Sequence, residues 1–241
     1  MGKGTIHNRD AFLHRIADRL GRNRRTDGVK RPEWSQRPQW NVFKDYTSEQ
    51  LLDQFKKQCE AIHTDVEETT GELLPKMVSD VILRYRGKKI MTWNDPRFES
   101  FGILSYLNKN LSQHGAEVQR WDEQRSREEN IRLAEKADVG ITFSDITLAE
   151  SGTVVLLSDK GKGRSVSLLP ENYIAIIPKS TLVPRMTQAA QEIHRRIENG
   201  DSVASCVNFI SGPSNSADIE MSLVVGVHGP VRVTYIIVTD R

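Results

Sequence analysis

Apolar side chains recur every three or four residues in several stretches of the chain, which is the spacing of an amphipathic helix. Capping residues mark the start of some of these stretches, and glycine or asparagine marks the end of others. Helices are predicted at 8–21, capped by Asn8 and ended by Gly21; at 51–59, after the capping box of Thr47 and Gln50; at 71–85; at 104–114; at 131–134, after the capping pair Ser126 and Glu129; and at 182–199.

Short, continuous apolar runs alternate with these helices, and such runs are typical of strands that are covered on both faces. Strands are predicted at 89–93, 117–121, 139–143, 154–157, 166–169, 173–177, 204–210 and 231–238. The polar, glycine-bearing segment 159–164 lies between two of these strands, so we expect it to form a hairpin loop.

The alternation of helix and strand predicts an α/β fold with an open, mostly parallel sheet and helices on both faces. Residues 1–45 are predicted to form a separate N-terminal helix and a basic, extended arm, and residues 46–241 the α/β domain. Trp34 and Trp40 indicate that the arm is pinned to a surface, either of its own domain or of a partner.

The composition is that of an ordinary globular protein, with 37% hydrophobic and 27% charged residues. Lysine plus arginine (34) nearly balances aspartate plus glutamate (32), so we expect no nucleic-acid partner. The segment 1–20 is amphipathic and charged, unlike a secretory signal, and no apolar run is long enough to cross a membrane. We therefore expect a cytoplasmic protein without membrane insertion.

The chain has two cysteines, Cys59 and Cys206, and they lie far apart in different predicted elements. Neither belongs to a spacing of cysteines and histidines that is typical of zinc or iron–sulfur ligands. The sequence therefore predicts no metal site, no bound cofactor and two reduced thiols.

The segment 149–153 places Glu150 between two strand-like runs, followed by Ser151, Gly152 and Thr153. A carboxylate in such a place is a candidate nucleophile or general base, and the neighbouring hydroxyl and N–H groups are candidate anion donors. The alternative is a turn carboxylate that bonds to local backbone, and the sequence alone favours that alternative.

A second glycine-bearing segment leaves the strand at 204–210 and continues to Pro230. Its hydroxyl, amide and N–H groups suit a carboxylate or phosphate ligand, although a polar loop that caps the next element is equally compatible. The candidate ligand-binding residues here are Ser211, Gly212, Ser214, Asn215, Asp218 and His228. In open α/β sheets ligands bind at the carboxyl ends of strands, and we expect both glycine-bearing segments to lie there.

The segment 161–165, Gly-Lys-Gly-Arg-Ser, has some features of a phosphate-binding loop. It lacks the spacing of that motif and lies between predicted strands rather than before a helix, so we interpret it as a basic hairpin tip. No dinucleotide-binding glycine motif or serine nucleophile elbow is present.

Several of these motifs, in this order, resemble the LUD family. They are 149–153 (Ala-Glu-Ser-Gly-Thr), 168–170 (Leu-Leu-Pro), 173–178 (Tyr-Ile-Ala-Ile-Ile-Pro), 211–218 (Ser-Gly-Pro-Ser-Asn-Ser-Ala-Asp) and 226–230 (Gly-Val-His-Gly-Pro). The similarity runs from about residue 11 to the end, and the last two motifs are its most specific part. It implies a fold related to the NagB/RpiA/CoA-transferase superfamily and a role in oxidising L-lactate to pyruvate.

The resemblance also implies companion proteins that carry iron–sulfur clusters. This chain has no cluster ligands, so we expect a non-redox subunit or accessory protein that acts with them. In this hypothesis the second segment and His228 bind a small carboxylate, Glu150 lies opposite, and the basic arm contacts the partners.

Two alternatives stay open. One is a free-standing enzyme that processes acyl-CoA or phosphosugars, because superfamily CoA transferases use a glutamate beside a glycine; here the pattern around Glu150 is Glu-Ser-Gly rather than Glu-Asn-Gly. The other is a scaffold that binds partners only. Parallel-sheet proteins of this size often self-associate, so a homo-oligomer is compatible with each of these functions.

Overall fold

The computed structural model describes residues 6–28, 30, 33–201, 204–219 and 222–241. The helices are α1 (Arg9–Arg19), α2 (Ser48–Ala61), α3 (Leu74–Arg84), α4 (Arg97–Ser100), α5 (Ile103–Leu111), α6 (Arg127–Glu135), α7 (Ser165–Leu168) and α8 (Met186–Glu198). The strands are β1 (Asp65–Thr69), β2 (Lys89–Thr92), β3 (Glu117–Arg120), β4 (Val139–Phe143), β5 (Ile146–Leu148), β6 (Thr153–Ser158), β7 (Asn172–Pro178), β8 (Leu182–Val183), β9 (Cys206–Ser211), β10 (Asn215–Ile219), β11 (Ser222–Val225) and β12 (Arg232–Val238).

A six-stranded parallel sheet in the order β1-β12-β7-β4-β2-β3 forms the centre of the fold. All of β4 and nearly all of β7 and β12 are buried, as expected for strands that are covered on both faces. Helices α3 and α5 pack together, as do α6 and α7. Because right-handed crossovers that run in opposite directions place their helices on opposite faces, these pairs flank the sheet on its two sides. The predicted α/β class is confirmed.

A second sheet, in the order β8-β5-β6-β9, is mixed. Strand β6 pairs antiparallel with both β5 and β9, whereas β8 pairs parallel with β5. Strands β10 and β11 form a separate antiparallel hairpin. Strands β5 and β6 lie in the connection between β4 and β7, and β8 and β9 lie between β7 and β12, so the mixed sheet interrupts the simple alternation of helix and strand.

Two predicted elements were wrong, and the start of a third was misplaced. The apolar run at 166–169 lies largely in helix α7, and short apolar runs do not distinguish a strand from a buried helix. As a result, 159–164 is a connection from β6 to α7 and not a hairpin loop. The predicted helix at 182–199 begins only at Met186, because its first residues form strand β8 and Pro184 follows.

Of the three predicted helix caps, two form side-chain hydrogen bonds and one does not. Thr47 and Gln50 form the predicted capping box, and the Ser126 hydroxyl accepts the Glu129 N–H. Asn8 stands at the start of α1 but makes no capping bond with its side chain. A capping side chain needs an extended backbone, and Asn8 instead has a left-handed one, with φ 58°.

The chain divides into two compact units, Met1–Pro38 and Gln39–Arg241. In the first unit, α1 ends at Arg19, and Gly21 (φ 63°) follows in a left-handed conformation, with the Gly21 and Arg22 N–H groups donating to the Asp18 and Ala17 carbonyls. Positions 1–5, 29, 31 and 32 of the predicted arm lie outside the described residues. Within the described residues, no helix combines the length and the apolar character that a membrane crossing requires.

The direction of the crossovers changes between β2 and β4. The chain leaves β2 toward β3 and leaves β4 toward β7, in the opposite direction along the sheet. The crevice at the carboxyl ends of these two strands is therefore the position where open α/β sheets usually bind ligands. The two glycine-bearing segments do not lie there, contrary to expectation, because they flank β6 and β9 in the mixed sheet.

Gly140 provides a test of how closely helix α7 approaches the sheet. A Cβ atom at this position would lie 1.9 Å from the Val166 carbonyl oxygen. We expect Gly140→Ala to lower the free energy of unfolding by about 3 kcal/mol, measured by urea denaturation, since β4 and α7 must separate. Gly102→Ala is the control: it introduces the strain of a left-handed backbone (φ 68°) but meets no atom within 4 Å, and should cost about 1 kcal/mol. Equal losses of unfolding free energy in the two variants would contradict the close approach of α7 to β4.

Candidate functional site

Three hydroxyl side chains from the two glycine-bearing segments form a continuous row, which we call the hydroxyl row: Ser151, Thr153 and Ser211. Thr153 Oγ1 lies 2.6 Å from Ser151 Oγ and 2.6 Å from Ser211 Oγ. The antiparallel register of β6 and β9 pairs Thr153 directly with Ser211. Sheet pairing thus brings together two segments that are 58 residues apart in the sequence.

The glycines beside the hydroxyl row are required by packing. Gly152 and Gly212 have left-handed backbones, with φ 61° and 67°. A Cβ at Gly152 would lie 2.8 Å from Ile62 Cδ1, and one at Gly212 would lie 2.6 Å from the Ile62 carbonyl oxygen. Both glycines therefore let the segments pack on the chain that follows α2, and the space of the missing side chain is already filled by protein.

Tyr235, which the sequence analysis did not single out, holds the second segment in place. Its phenol oxygen accepts the Gly212 N–H at 3.0 Å and donates to the Ile210 carbonyl at 3.2 Å. Burial raises the pKa of the Tyr235 phenol well above its ordinary value, although the bond from Gly212 acts in the opposite direction. The phenol stays neutral and can serve as acceptor and donor at once.

Glu150 lies in the turn between β5 and β6, as predicted, and is paired with Arg185 at the start of α8. Arg185 Nη2 lies 2.8 Å from one carboxylate oxygen and Nε 3.0 Å from the other. The Glu150 N–H donates to the Pro184 carbonyl at 3.0 Å, which fixes the turn against the same segment. Because Arg185 occupies both carboxylate oxygens, Glu150 could act as a nucleophile only if the pair opened.

Ser214 and His228 belong to two chain segments that touch each other. The Ser214 N–H donates to the Pro230 carbonyl at 2.9 Å, and the Gly226 N–H donates to the Ser214 carbonyl at 2.8 Å. His228 is exposed and lines a cavity with Asp138 and Glu171, which precede β4 and β7. His228 therefore lies toward the amino ends of the parallel strands. Among the described residues, no hydrogen bond or ion pair joins it to Glu150.

The segment 211–218 is not a polar loop throughout, because strand β10 begins within it. Asn215 begins strand β10, where it pairs with Val225 of β11. Asp218 lies in the same strand, but its side chain is outside the part of the chain that the structure describes. Strand β10 has the sequence Asn-Ser-Ala-Asp-Ile, which contains no apolar run, and this is why the sequence pattern did not show it.

A group of charged side chains at the carboxyl ends of β2 and β4 was missed by the sequence analysis. We call it the carboxyl-edge cluster: Asp95, Arg97, Asp145 and Lys162. Arg97 Nη2 lies 2.6 Å from Asp95 Oδ2 and 2.9 Å from Asp145 Oδ1. Lys162 Nζ lies 3.1 Å from Asp95 Oδ2. The cluster fills the crevice at which the crossovers change direction.

Opposing effects set the ionisation of this cluster. Burial acts to raise the pKa of Asp95. The hydrogen bonds and charge of Arg97 and the charge of Lys162 together outweigh burial, so the pKa lies below its ordinary value. For Arg97, burial acts to lower the pKa, and the two carboxylates outweigh it and raise the pKa. Asp95 and Arg97 are therefore charged in the folded protein.

Lys162 belongs to the segment that was interpreted as a basic hairpin tip, and the structure corrects this interpretation. The Trp93 indole donates to the Gly163 carbonyl at 2.9 Å, and the Trp121 indole donates to the Lys160 carbonyl at 3.0 Å. The segment is thereby fastened to the carboxyl ends of β2 and β3, and Lys162 turns inward. The sequence did contain a signal for the carboxyl-edge cluster, namely an aspartate soon after each of two predicted strands: Asp95 after 89–93 and Asp145 after 139–143.

A metal site needs several ligand side chains that converge on one point, and acidic charge alone does not make one. Within the described ranges, no group of three or more histidine, cysteine, aspartate or glutamate side chains is arranged to hold a metal ion.

The carboxyl-edge cluster predicts a pH-dependent contribution to stability. Since the pKa of Asp95 is lowered by folding, its contribution is fully present above about pH 5 and is lost as the pH falls through the folded-state pKa. We expect Asp95→Asn to lower the free energy of unfolding at about pH 7 by about 3 kcal/mol, because the partly buried Arg97 and Lys162 lose a buried carboxylate partner.

The measurement is denaturant unfolding of the wild type and of Asp95→Asn between about pH 3 and pH 7. The difference in unfolding free energy between the two proteins should begin to narrow as the pH falls below the ordinary pKa of an aspartate, because the carboxyl then takes up a proton in the unfolded chain. Asp80→Asn removes an exposed carboxylate that pairs with Lys76, and should cost less than about 1 kcal/mol. A gap that stays constant with pH would show that the charge of Asp95 does not stabilise the fold.

Two relatives match this chain over its full length. The protein of Geobacillus sp. (strain WCH70) named "Lactate utilization protein C" is 57% identical over 241 residues, which is 100% of both chains. The Bacillus subtilis (strain 168) protein of the same name is 54% identical, also over 100% of both chains.

A solved structure and a family match complete the comparison. The crystal structure of a DUF162 family protein from Deinococcus radiodurans aligns with a TM-score of 0.55, covering 80% of this chain and 99% of that chain. At 16% identity it supports the fold alone. Residues 52–238 match the family described as LUD domain. The resemblance predicted from the sequence motifs is confirmed, and the chain belongs to the LUD domain family.

Proposed function

We propose that this protein acts in lactate utilisation, as a non-redox subunit or accessory protein of a system that oxidises L-lactate to pyruvate. The observation that carries the proposal is the full-length match, at 57% and 54% identity, to relatives named for lactate utilisation. Because both chains are covered completely, the similarity includes the N-terminal unit as well as the LUD domain.

The cysteines support a non-redox role. A cubane iron–sulfur cluster takes four thiolate ligands, and this chain has two cysteines in all. Cys59 is buried, and burial raises the pKa of its thiol to about 12, so it stays protonated. In this proposal the electrons pass through partner proteins that carry iron–sulfur clusters.

The hydroxyl row is the proposed centre of the ligand site. Its hydroxyl groups can donate to a small carboxylate, and Gly152 and Gly212 hold the two chain segments close enough to keep the row continuous. The adjoining hairpin and loop would contribute further polar contacts to the ligand, from Ser214, Asn215, Asp218 and His228.

The N-terminal unit is the proposed contact for the partners. Helix α1 exposes Phe12 and Leu20, at 61% and 59%, and Trp34 is exposed at 71%. Basic side chains are frequent between positions 15 and 37. An exposed apolar stripe beside positive charge suits a partner whose surface is apolar and acidic.

The alternative of a free-standing acyl-CoA or phosphosugar enzyme rests on Glu150 as catalytic carboxylate. Its bidentate pair with Arg185 makes this alternative weaker, since a carboxylate whose negative charge is balanced by a guanidinium group is a poorer nucleophile. Turnover of such substrates by the isolated chain, and its loss in Glu150→Ala, would favour the enzyme instead.

Deletion of the gene tests the proposed role. We expect the deletion strain to lose growth on L-lactate while it grows normally on glucose, and the wild-type gene to restore growth on L-lactate. Normal growth of the deletion strain on L-lactate would overturn the proposal.

Single variants in the complemented strain test the proposed site. Ser211→Ala removes one end of the hydroxyl row, and His228→Ala removes the exposed imidazole; each should slow growth on L-lactate at unchanged protein abundance. Ser205→Ala, at an exposed position just before β9, is the matched control and should grow like the wild type.

The same strains distinguish a ligand site from a scaffold. If Ser211→Ala and His228→Ala both grow normally while removal of residues 1–39 abolishes growth, the chain acts by binding partners and the hydroxyl row has no role.

A further inference from the structure

The six-stranded sheet and the mixed sheet have four edge strands, β1, β3, β8 and β9, and three of these are protected. Strand β1 carries three carboxylates among its five residues, and β3 carries Glu117 and Arg120 among four. Strand β8 has only two residues. Charged side chains and short length are the usual means by which proteins keep an open sheet edge from pairing with another chain.

Strand β9, at the other edge of the mixed sheet, has neither form of protection. Its sequence is Cys-Val-Asn-Phe-Ile-Ser, six residues without a charged side chain or a proline. Phe209, near its centre, is 40% exposed. An uncharged edge strand of this length with an exposed aromatic side chain is suited to pairing with a further strand.

Hydrogen bonds of the mixed sheet fix the direction in which its backbone groups point. The Val155 carbonyl accepts the Asp145 N–H at 3.0 Å, and the Leu157 N–H donates to the Asp145 side chain. Val155 and Leu157 therefore direct their backbone groups toward β5. Because this direction alternates along an antiparallel strand, Leu156 between them faces β9, where it pairs with Asn208.

The same alternation in β9 leaves one set of backbone groups open. Asn208 faces β6, so Val207, Phe209 and Ser211 direct their N–H and C=O groups away from it. No residue in the described ranges donates to these carbonyls or accepts from these N–H groups. Strand β9 thus offers a row of three residues, each with a donor and an acceptor, to a further strand.

From these features we propose that β9 pairs in antiparallel orientation with β9 of a second copy of this chain, with the two-fold axis at Phe209. A two-fold axis brings the same patch of both copies together, and it makes two identical edge strands antiparallel. In this register Phe209 bonds to the same residue of the second copy, and Val207 bonds to Ser211. The register uses all three outward-facing residues, and it joins the two mixed sheets into one.

The side chains of β9 favour a second copy over a different partner. Since the strand is uncharged, pairing with itself brings no like charges together. The two exposed Phe209 rings lie directly opposite each other, and such aromatic pairs stabilise antiparallel sheets. Ser211, the exposed end of the hydroxyl row, then lies beside the interface. The inference goes beyond the proposed function, since it concerns how the chain associates with itself.

Sedimentation velocity of the full chain tests the association. We expect the wild type to form a dimer, and Phe209→Lys and Phe209→Glu each to weaken dimerisation about tenfold or more, because like charges then lie opposite each other across the axis. An equimolar mixture of the two variants should recover the dimer, because the opposed charges are then of opposite sign.

Three results would overturn the proposal. They are a wild type that stays monomeric up to about 0.1 mM, charge variants that dimerise like the wild type, and a mixture that stays monomeric. Phe12→Lys is the matched control, since it changes an exposed phenylalanine of α1, and it should dimerise like the wild type. Loss of the dimer in Phe12→Lys alone would place the interface on the N-terminal unit instead.

Amide hydrogen exchange, measured by NMR on the wild type and Phe209→Lys, tests the strand pairing itself. The N–H groups of Val207 and Ser211 should exchange slowly in the wild-type dimer and about tenfold or more faster in the variant. The Asn208 and Ile210 N–H groups face β6 and should stay slow in both. Fast exchange at Val207 and Ser211 in a wild-type dimer would show that another surface forms it. Growth of the deletion strain on L-lactate would overturn the proposed function and leave these measurements unaffected.

Discussion

Arg97 joins the carboxyl ends of two neighbouring parallel strands through its ion pairs with Asp95 and Asp145. Asp145 also accepts the Leu157 N–H of strand β6, in the mixed sheet, at 2.9 Å. Lys162 lies in the connection that follows β6 and pairs with Asp95. One small set of buried charges thus holds both sheets and the 159–164 connection together. Removing Asp95 leaves the partly buried Arg97 and Lys162 with Asp145 as their shared acidic partner, which costs more than the loss of an exposed ion pair would.

The position of the mixed sheet decides where chemistry can occur. Strands β6 and β9 build the hydroxyl row, and the crevice between β2 and β4 is already filled by the protein's own ion pairs. The open space at the carboxyl edge is displaced toward α8, beside β7. This space is lined by carboxylates as well as guanidinium groups, among them Glu192 and Arg196, whereas the hydroxyl row is uncharged.

The sequence predicted what local patterns determine: the parallel strands with apolar runs, such as β4, the caps at Thr47 and Ser126, and the chain segments of the hydroxyl row. It did not predict β1, whose Asp-Val-Glu-Glu-Thr sequence has no apolar run at the edge of the sheet, or β5, which has only three residues. The Glu150–Arg185 pair and the carboxyl-edge cluster join residues far apart in sequence. Their partners follow from topology, which a single sequence does not display.

Reconstitution of L-lactate oxidation with an artificial electron acceptor tests the central claim most directly. Three samples are compared: this protein alone, the iron–sulfur partner proteins alone, and the full set. The account predicts no oxidation by this protein alone, since it lacks the ligands for a cluster, and oxidation that needs this protein together with its partners. Oxidation of L-lactate by this protein alone would contradict the account, and full activity of the partners without it would exclude a subunit and leave only an accessory role.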